Sequence, residues 1–326
     1  MSRTNFIKLF SLLLVAMLFQ SWGFFGHRRI NRMAVFTLPP EMIGFYKSNI
    51  EYVTAHAVDP DKRRYASKNE APRHYIDIDH YAKEGKDPFE VMPRRWYDAV
   101  EKFSEDTLQA YGIVPWHVAS MTKWLTKAFE EEDANRILYL SADLGHYIAD
   151  AHVPLHTTEN YNGQLTGQKG IHGLWESRIP ELTADEFDYL VGRATYIKDP
   201  LTAIWKVVEE SHAHLDSVLL IEKDLSKKIP SDQKYAFEQR GQSTVRQYSQ
   251  KFALGYYNRM GDMVEKRMRK AVKMVGNLWF TAWVDAGQPD LEKMMGNISE
   301  EELKQKEEEL EKETKGKEIQ GREHDQ

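Results

Sequence analysis

The sequence predicts an all-α, multi-helix fold. Apolar residues recur with a helical period over long stretches, and prolines sit near the starts of several of them. No segment alternates apolar and polar residues strongly enough to read as a strand. The chain has 326 residues, 41% of them hydrophobic, with eight Trp, which is material for one large core or two small ones. No internal repeat is visible.

The N-terminus, MSRTNFIKLFSLLLVAMLFQSWGFFGH, starts with charges at Arg3 and Lys8. An apolar run from Leu9 to Phe19 follows, too short to span a membrane comfortably. It reads as a signal peptide over residues 1–21, so the protein is expected to be exported, to a periplasm or outside the cell. Cleavage after Ser21 leaves Trp22 first, although Phe19 departs from the small-residue preference at such sites. It also takes away Arg3 and Lys8, so the net charge of −6 becomes −8. No later run is long and apolar enough to cross a membrane. The absence of cysteine excludes disulfides and a lipid-anchoring cysteine. The acidic balance argues against a protein held to nucleic acid mainly by phosphate neutralisation, but it is compatible with an enzyme that binds phosphates through metal ions.

Residues 22–36 carry His27 and the basic residues Arg28, Arg29 and Arg32. Pro39 and Pro40 mark a turn, and Glu41 to His56 predicts a helix. Residues 57–88 are irregular and rich in Asp, Pro and charge, the kind of loop that carries site residues on a helical frame. Pro93 to Ala110, Pro115 to Glu131 and Asp133 to His152 predict three more helices. Pro200 to Leu219 lines up Leu201, Ile204, Trp205, Val208, Leu215, Val218 and Leu219. His212 shares that stripe and reads as a satisfied core histidine. Phe237 to Asp285 predicts a long helix broken near Gly255 and Gly261, with Met268, Val272, Val275, Trp279 and Trp283 on its buried side. From Pro289 the composition turns to Glu and Lys, so residues 289–326 are expected to be a solvated helix or a disordered tail.

The densest chemistry lies within the 31 residues from His146 to Glu176. His146 and Asp150 stand four apart in a helical stretch, which puts imidazole and carboxylate side by side on one face. His172 and Glu176 repeat that spacing, and His156 lies between, just after Pro154. One such pair usually marks a surface contact or a buried hydrogen bond. Two pairs with a histidine between them point to a metal site. Without thiolates, the imidazole and carboxylate set suits zinc.

In order along the chain stand WGFFGH, AVD, HYIDID, GHYIAD, PLH and HGLWE. With these motifs the sequence resembles the zinc-dependent phospholipase C family, which shares a superfamily with the secreted single-strand-specific zinc nucleases. The likeness runs from Trp22 to about Trp283. It implies a single all-α domain, residues 22–288, with a cleft for three zinc ions. The implied ligands of the first ion are Asp59, His74, His146 and Asp150. Those of the second are His156, His172 and Glu176. The third would take the amine and carbonyl of Trp22, His27, and Asp150 as a bridge, so signal removal would complete that site. Asp61 also has a fitting distance to His74, but the AVD context favours Asp59. Asp143, on the face of His146 and Asp150, reads equally as an acceptor for a ligand imidazole or as a surface acid. The resemblance further implies in-line hydrolysis of a phosphodiester by a zinc-bound hydroxide, with Asp59 and Asp150 as the catalytic carboxylates. Arg63 and Arg64 are candidates to touch phosphate, although loop arginines are more often surface.

The marks of substrate are mixed. His27 five residues after Trp22 is similar to the nucleases. Glu176, where nucleases usually carry Asp, is similar to the phospholipases. So are the 16-residue step from His156 to His172 without a Gly-Gly-Asn segment, the C-terminal KRMRKAVKMVGNLWFTAW, and the lack of cysteine. The favoured expectation is phospholipase C-like hydrolysis of a phospholipid head-group phosphodiester. The alternative is a single-strand-specific endonuclease or 3′-nucleotidase. An inactive zinc scaffold is a third reading, disfavoured because all nine expected ligands are present. No protein partner can be named.

Overall fold

The computed structural model describes residues 24–82, 85–240 and 243–320. Trp22 and the expected signal peptide lie outside them. Apart from one two-stranded hairpin, the described regular structure is helical, and no described helix is long and apolar enough to cross a membrane.

Helix α1 (Phe24–Ala34) leads through a short turn into α2 (Pro40–Ser48), which starts on its proline. α3 (Ile50–Ala55) follows at once. The single helix expected over Glu41–His56 therefore breaks at Asn49, whose side-chain amide donates to Phe45 O at 2.8 Å. α4 (Asp59–Arg63) is one turn inside the region expected to be irregular. The helix expected over Pro93–Ala110 is also divided, into α5 (Trp96–Phe103) and α6 (Glu105–Tyr111). Ser104, at φ 70, leaves the helical backbone between them, and its hydroxyl accepts from Thr107 N at 3.3 Å as an N-cap.

α7 (Val114–Glu130) and α8 (Ala134–Ala151) lie where the periodicity places them; Asp133 caps α8 by accepting from Arg136 N at 3.0 Å. α9 (Pro200–His212) and α10 (Leu215–Ser226) divide the next predicted helix. Strands β1 (Tyr235–Arg240) and β2 (Ser243–Tyr248) then pair antiparallel, with Tyr235 opposite Tyr248. This corrects the helix expected from Phe237. Tyr, Phe, Thr and Val favour the pleated surface, and a Gly-Gln dipeptide stands between the two runs in the sequence. Helices α11 (Gln250–Met260) and α12 (Met263–Asp285) take up the rest. Gly261, at φ 62, makes the break between them, whereas Gly255 sits inside α11 against Leu225.

α12 is the spine of the core. Val264, Met268, Ala271, Val272, Val275, Leu278, Trp279 and Ala282 are buried against α1, α7 and α8. The Trp279 indole donates to Ser141 O (3.1 Å) and stacks on Tyr46, so the large ring is buried with its N–H satisfied. α1 and α8 meet at Gly145, where a Cβ would stand 1.9 Å from Asn31 Oδ1. Asn31 is fully buried there and donates to Val53 O (3.1 Å) and Ala142 O (3.0 Å), tying α1 to α3 and α8.

The C-terminal segment starts inside the core, because Leu291 and Met294 are buried. α13 (Glu300–Thr314) has no buried residue, yet it lies along the domain. Asn135 donates to Glu302 (2.7 Å), Lys306 sits 3.3 Å from the Tyr139 ring centroid, and Gln320 N donates to Arg64 O (2.9 Å).

Candidate metal centre

Six segments deliver the side chains. α1 brings His27. α4 brings Asp61. The turn Ala71–His74 brings His74, α8 brings His146 and Asp150, and the turn Pro154–Thr157 brings His156. A short helix, Ile171–Gly173, runs into a widened π-helical turn, Leu174–Arg178, and together they bring His172 and Glu176. Such turns recur at functional sites. The close α1–α8 contact at Gly145 sets His27 against His146, with the rings stacked at 4.0 Å.

Among the described residues, three groups place possible metal-binding atoms within 4.8 Å of one another: Asp61, His74 and His146; His27, His146 and Asp150; and His156, His172 and Glu176. In the first, Asp61 Oδ1 is 3.8 Å from both His74 Nδ1 and His146 Nε2, which are 3.0 Å apart. Asp150 joins it to the second. Its Oδ2 is 2.9 Å from His74 Nδ1 and 3.2 Å from His146 Nε2, and its Oδ1 is 3.5 Å from His27 Nε2. In the third group, Glu176 Oε2 is 2.7 Å from His172 Nε2 and 3.2 Å from His156 Nε2. Its Oε1 meets His27 Nε2 at 3.1 Å, so Glu176 links this group to α1.

The protons show what the cluster lacks. His146 Nδ1 donates to Ala57 O (2.8 Å) and His156 Nδ1 donates to His74 O (2.6 Å). With that proton on Nδ1, each ring turns its Nε2 inward, bare whenever the ring is neutral. His146 Nε2 faces His74 Nδ1 and two carboxylates, and His156 Nε2 faces His172 Nε2 at 2.9 Å. Lone pairs converge there, and they need either extra protons or cations between them. The titration directions agree. Burial works to lower the His27 pKa, yet Glu176 and Asp150 lift it to about 9. Burial pushes the Asp150 and Glu176 carboxyls up, but the surrounding imidazoles hold both well below the ordinary range. A site that gathers protons onto imidazoles in this way is matched by a cation that replaces them. The donor set of imidazole and carboxylate fits zinc.

Asp59, expected among the ligands, lies to one side of the donor groups. Its Oδ2 accepts from His56 Nδ1 at 2.6 Å and its Oδ1 from Lys62 at 2.8 Å, away from the cluster, while Asp61 takes the place beside His74 and His146. The reason is local. α4 is a helical turn, and residues two apart on a helix point to different sides, so only one of the pair reaches the cleft. Asp143 accepts from Arg63 at 2.8 and 3.3 Å and not from a ligand imidazole. That pairing also commits Arg63, and Arg64 is buried 4.0 Å from Asp61. His212 Nδ1 lies 3.0 Å from Thr157 Oγ1, as a satisfied histidine does. Behind the cluster lies a carboxylate with no sequence motif to mark it. Glu70 is buried, with Oε1 3.7 Å from His74 Nε2.

A search of curated proteins finds no match to the chain. The family model described as S1/P1 nuclease matches residues 22–274, a span that holds all three donor groups and ends within α12. The chain belongs to the S1/P1 nuclease family.

Proposed function

We propose that the three donor groups hold three zinc ions and that the chain hydrolyses a phosphodiester, with a phospholipid head group as the first reading. One observation carries the metal assignment: buried imidazole nitrogens and carboxylate oxygens from six segments converge in three linked groups. Membership of a family of zinc-dependent phosphodiester hydrolases supports the reaction class. The residues assigned to zinc are Asp61, His74, His146 and Asp150; His156, His172 and Glu176; and His27 with Asp150, to which the Trp22 amine and carbonyl would be added from outside the described residues. Export through the expected signal peptide would free that amine.

When bound, zinc ions neutralise a phosphate, lower the pKa of bound water and stabilise the attacking and leaving oxygens. The chain supplies the frame for that chemistry. Backbone carbonyls of Ala57 and His74 fix the two key rings before any ligand arrives. Asp61, Asp150 and Glu176 contribute three negative charges against six positive ones, leaving a net attraction for a phosphodiester anion. The Asp61 and Glu176 side chains are 13% exposed, against 0–4% for the clustered histidines and Asp150, so these two carboxylates mark the open side of the cleft. The catalytic part expected of Asp59 passes to Asp61, and Asp150 keeps the bridging place.

Glu176, the short His156–His172 step, the C-terminal KRMRKAVKMVGNLWFTAW and the lack of cysteine favour the phospholipid. The family match favours the second reading, a single-strand-specific nuclease. The deciding experiment offers the mature protein phosphatidylcholine vesicles and single-stranded nucleic acid side by side, with and without a zinc chelator. Chelator-sensitive release of phosphorylated head group with intact nucleic acid is expected. Chelator-sensitive cleavage of nucleic acid alone replaces the first reading with the second. Inactivity on both, with zinc bound, leaves a scaffold.

A further inference from the structure

We propose that Glu70 is a positioning residue for the first donor group: it keeps the proton of His74 on Nε2, so that Nδ1 is presented to the metal. The inference rests on the metal reading above and concerns a residue outside its ligand set.

His74 is 1% exposed, and its two nitrogens face opposite ways. Nδ1 looks into the cluster, 2.9 Å from Asp150 Oδ2 and 3.0 Å from His146 Nε2. Nε2 looks away and has no hydrogen-bond partner among the described residues; the carboxylate it faces is Glu70, one helical turn back, at 3.7 Å. A neutral imidazole has one proton to place. On Nδ1 it would be accepted by Asp150 and would block the nitrogen that a metal needs. On Nε2 it faces a buried carboxylate. Two carboxylates thus compete for one proton, and the stronger hold decides whether His74 is a donor or a ligand.

Asp150 stands closer in this structure, and Glu70 is the acceptor left to His74 once a cation takes up Asp150. Glu70 is 1% exposed and fastened on several sides. Arg73 donates to Oε2 at 2.7 Å, Arg63 Nε lies 3.5 Å from the same oxygen, and the Tyr147 hydroxyl donates to Oε1. Arg63 belongs to α4, two residues from Asp61, and also donates to Asp143 on α8. Tyr147 follows His146 on α8. The carboxylate that orients His74 is therefore anchored to both elements that supply the other donors of the group. Two arginines and a tyrosine thus hold the carboxylate in place beside His74. A cation that takes up Asp150 removes the competing acceptor, and the two effects reinforce each other.

The test begins with the zinc-loaded wild-type protein. Long-range proton–nitrogen correlation spectra of histidine-labelled protein should show His74 protonated at Nε2 with Nδ1 bound; a His74 bound through Nε2 overturns the proposal without any mutant. Glu70→Gln, which keeps the shape and removes the charge, should lower zinc affinity at this group roughly 10–100-fold. In the zinc-free state it should raise the population of the Nδ1-protonated form. Asp143→Asn breaks the same network one step away from His74 and should leave zinc affinity within about threefold. Equal losses in both variants would make the network merely structural and overturn the role of Glu70. Unchanged affinity in Glu70→Gln would do the same. A wild-type protein that binds no zinc fails the metal reading itself, a different and separable result.

Discussion

Changing one carboxylate to an amide separates the two aspartates of HAVDPDKRR. Asp61 Oδ1 stands 3.8 Å from two inward-facing imidazole nitrogens, whereas Asp59 is held by His56 and Lys62. A structural zinc site is worth about 10–16 kcal/mol, so one of four ligands carries about 3–4 kcal/mol, or roughly 10²–10³-fold in affinity. Asn keeps a weak carbonyl donor, so Asp61→Asn should lose at least about tenfold and approach that range. Asp59→Asn loses a partly buried pair with Lys62 and weakens one hydrogen bond, costing about 1–2 kcal/mol of stability and no zinc. Competition titration against a chromophoric chelator reads the affinity, and metal analysis after dialysis reads the count. Zinc lost from Asp59→Asn but kept by Asp61→Asn would refute the reasoning and restore the sequence expectation.

Three further outcomes follow from the packing. Gly145→Ala drives a methyl into Asn31 and forces α1 from α8; overpacking of about 1–3 kcal/mol outweighs the helix-propensity gain, so the melting temperature should fall and the His27 group should bind zinc more weakly. A variant as stable as the wild type would contradict the close approach. Burial, then Arg73, lowers the His117 pKa to about 3 against an ordinary 6.5. The unfolded chain therefore takes a proton between those values that the folded chain refuses, and stability declines by about 1.4 kcal/mol per pH unit as pH falls through that window. In zinc-free protein His117→Leu should remove the His117 share of that slope, beside the share of the likewise buried His152, and an equal loss of stability from pH 7 to 5 in both proteins would count against it. Deleting residues 299–326 removes contacts to the buried Asn135 and Arg64 and to Tyr139, each worth about 0.5–1.5 kcal/mol, and should lower stability with zinc content intact. Loss of zinc on deletion would show that α13 supports the turn bearing Asp61.

The long helices and the His146–Glu176 core of the site were legible because i, i+4 spacing on a helix maps directly onto one face. α7 and α8 end within a residue or so of the expected bounds for the same reason. What periodicity could not show was local. Ser104 and Asn49 interrupt amphipathic stretches through their own side-chain hydrogen bonds. The β1–β2 hairpin carries no strict alternation, and only Gly241-Gln242 between two Tyr-, Phe-, Thr- and Val-bearing runs signalled it. Which of Asp59 and Asp61 faces His74 and His146 depended on whether HAVDPDKRR was loop or helix, since a single turn, α4, decides which acid points inward. Glu70 had no motif at all; its place is defined by tertiary contacts with Tyr147 and Arg63, 77 residues later and seven earlier in the chain.

Diffraction from crystals of the mature, zinc-loaded protein at the zinc absorption edge would locate the ions directly. Three anomalous peaks are expected, each about 2.0–2.2 Å from donors of one group, with Asp61 and not Asp59 at the first. A cleft without peaks, or zinc held by Asp59, would contradict the assignment of these donors to zinc.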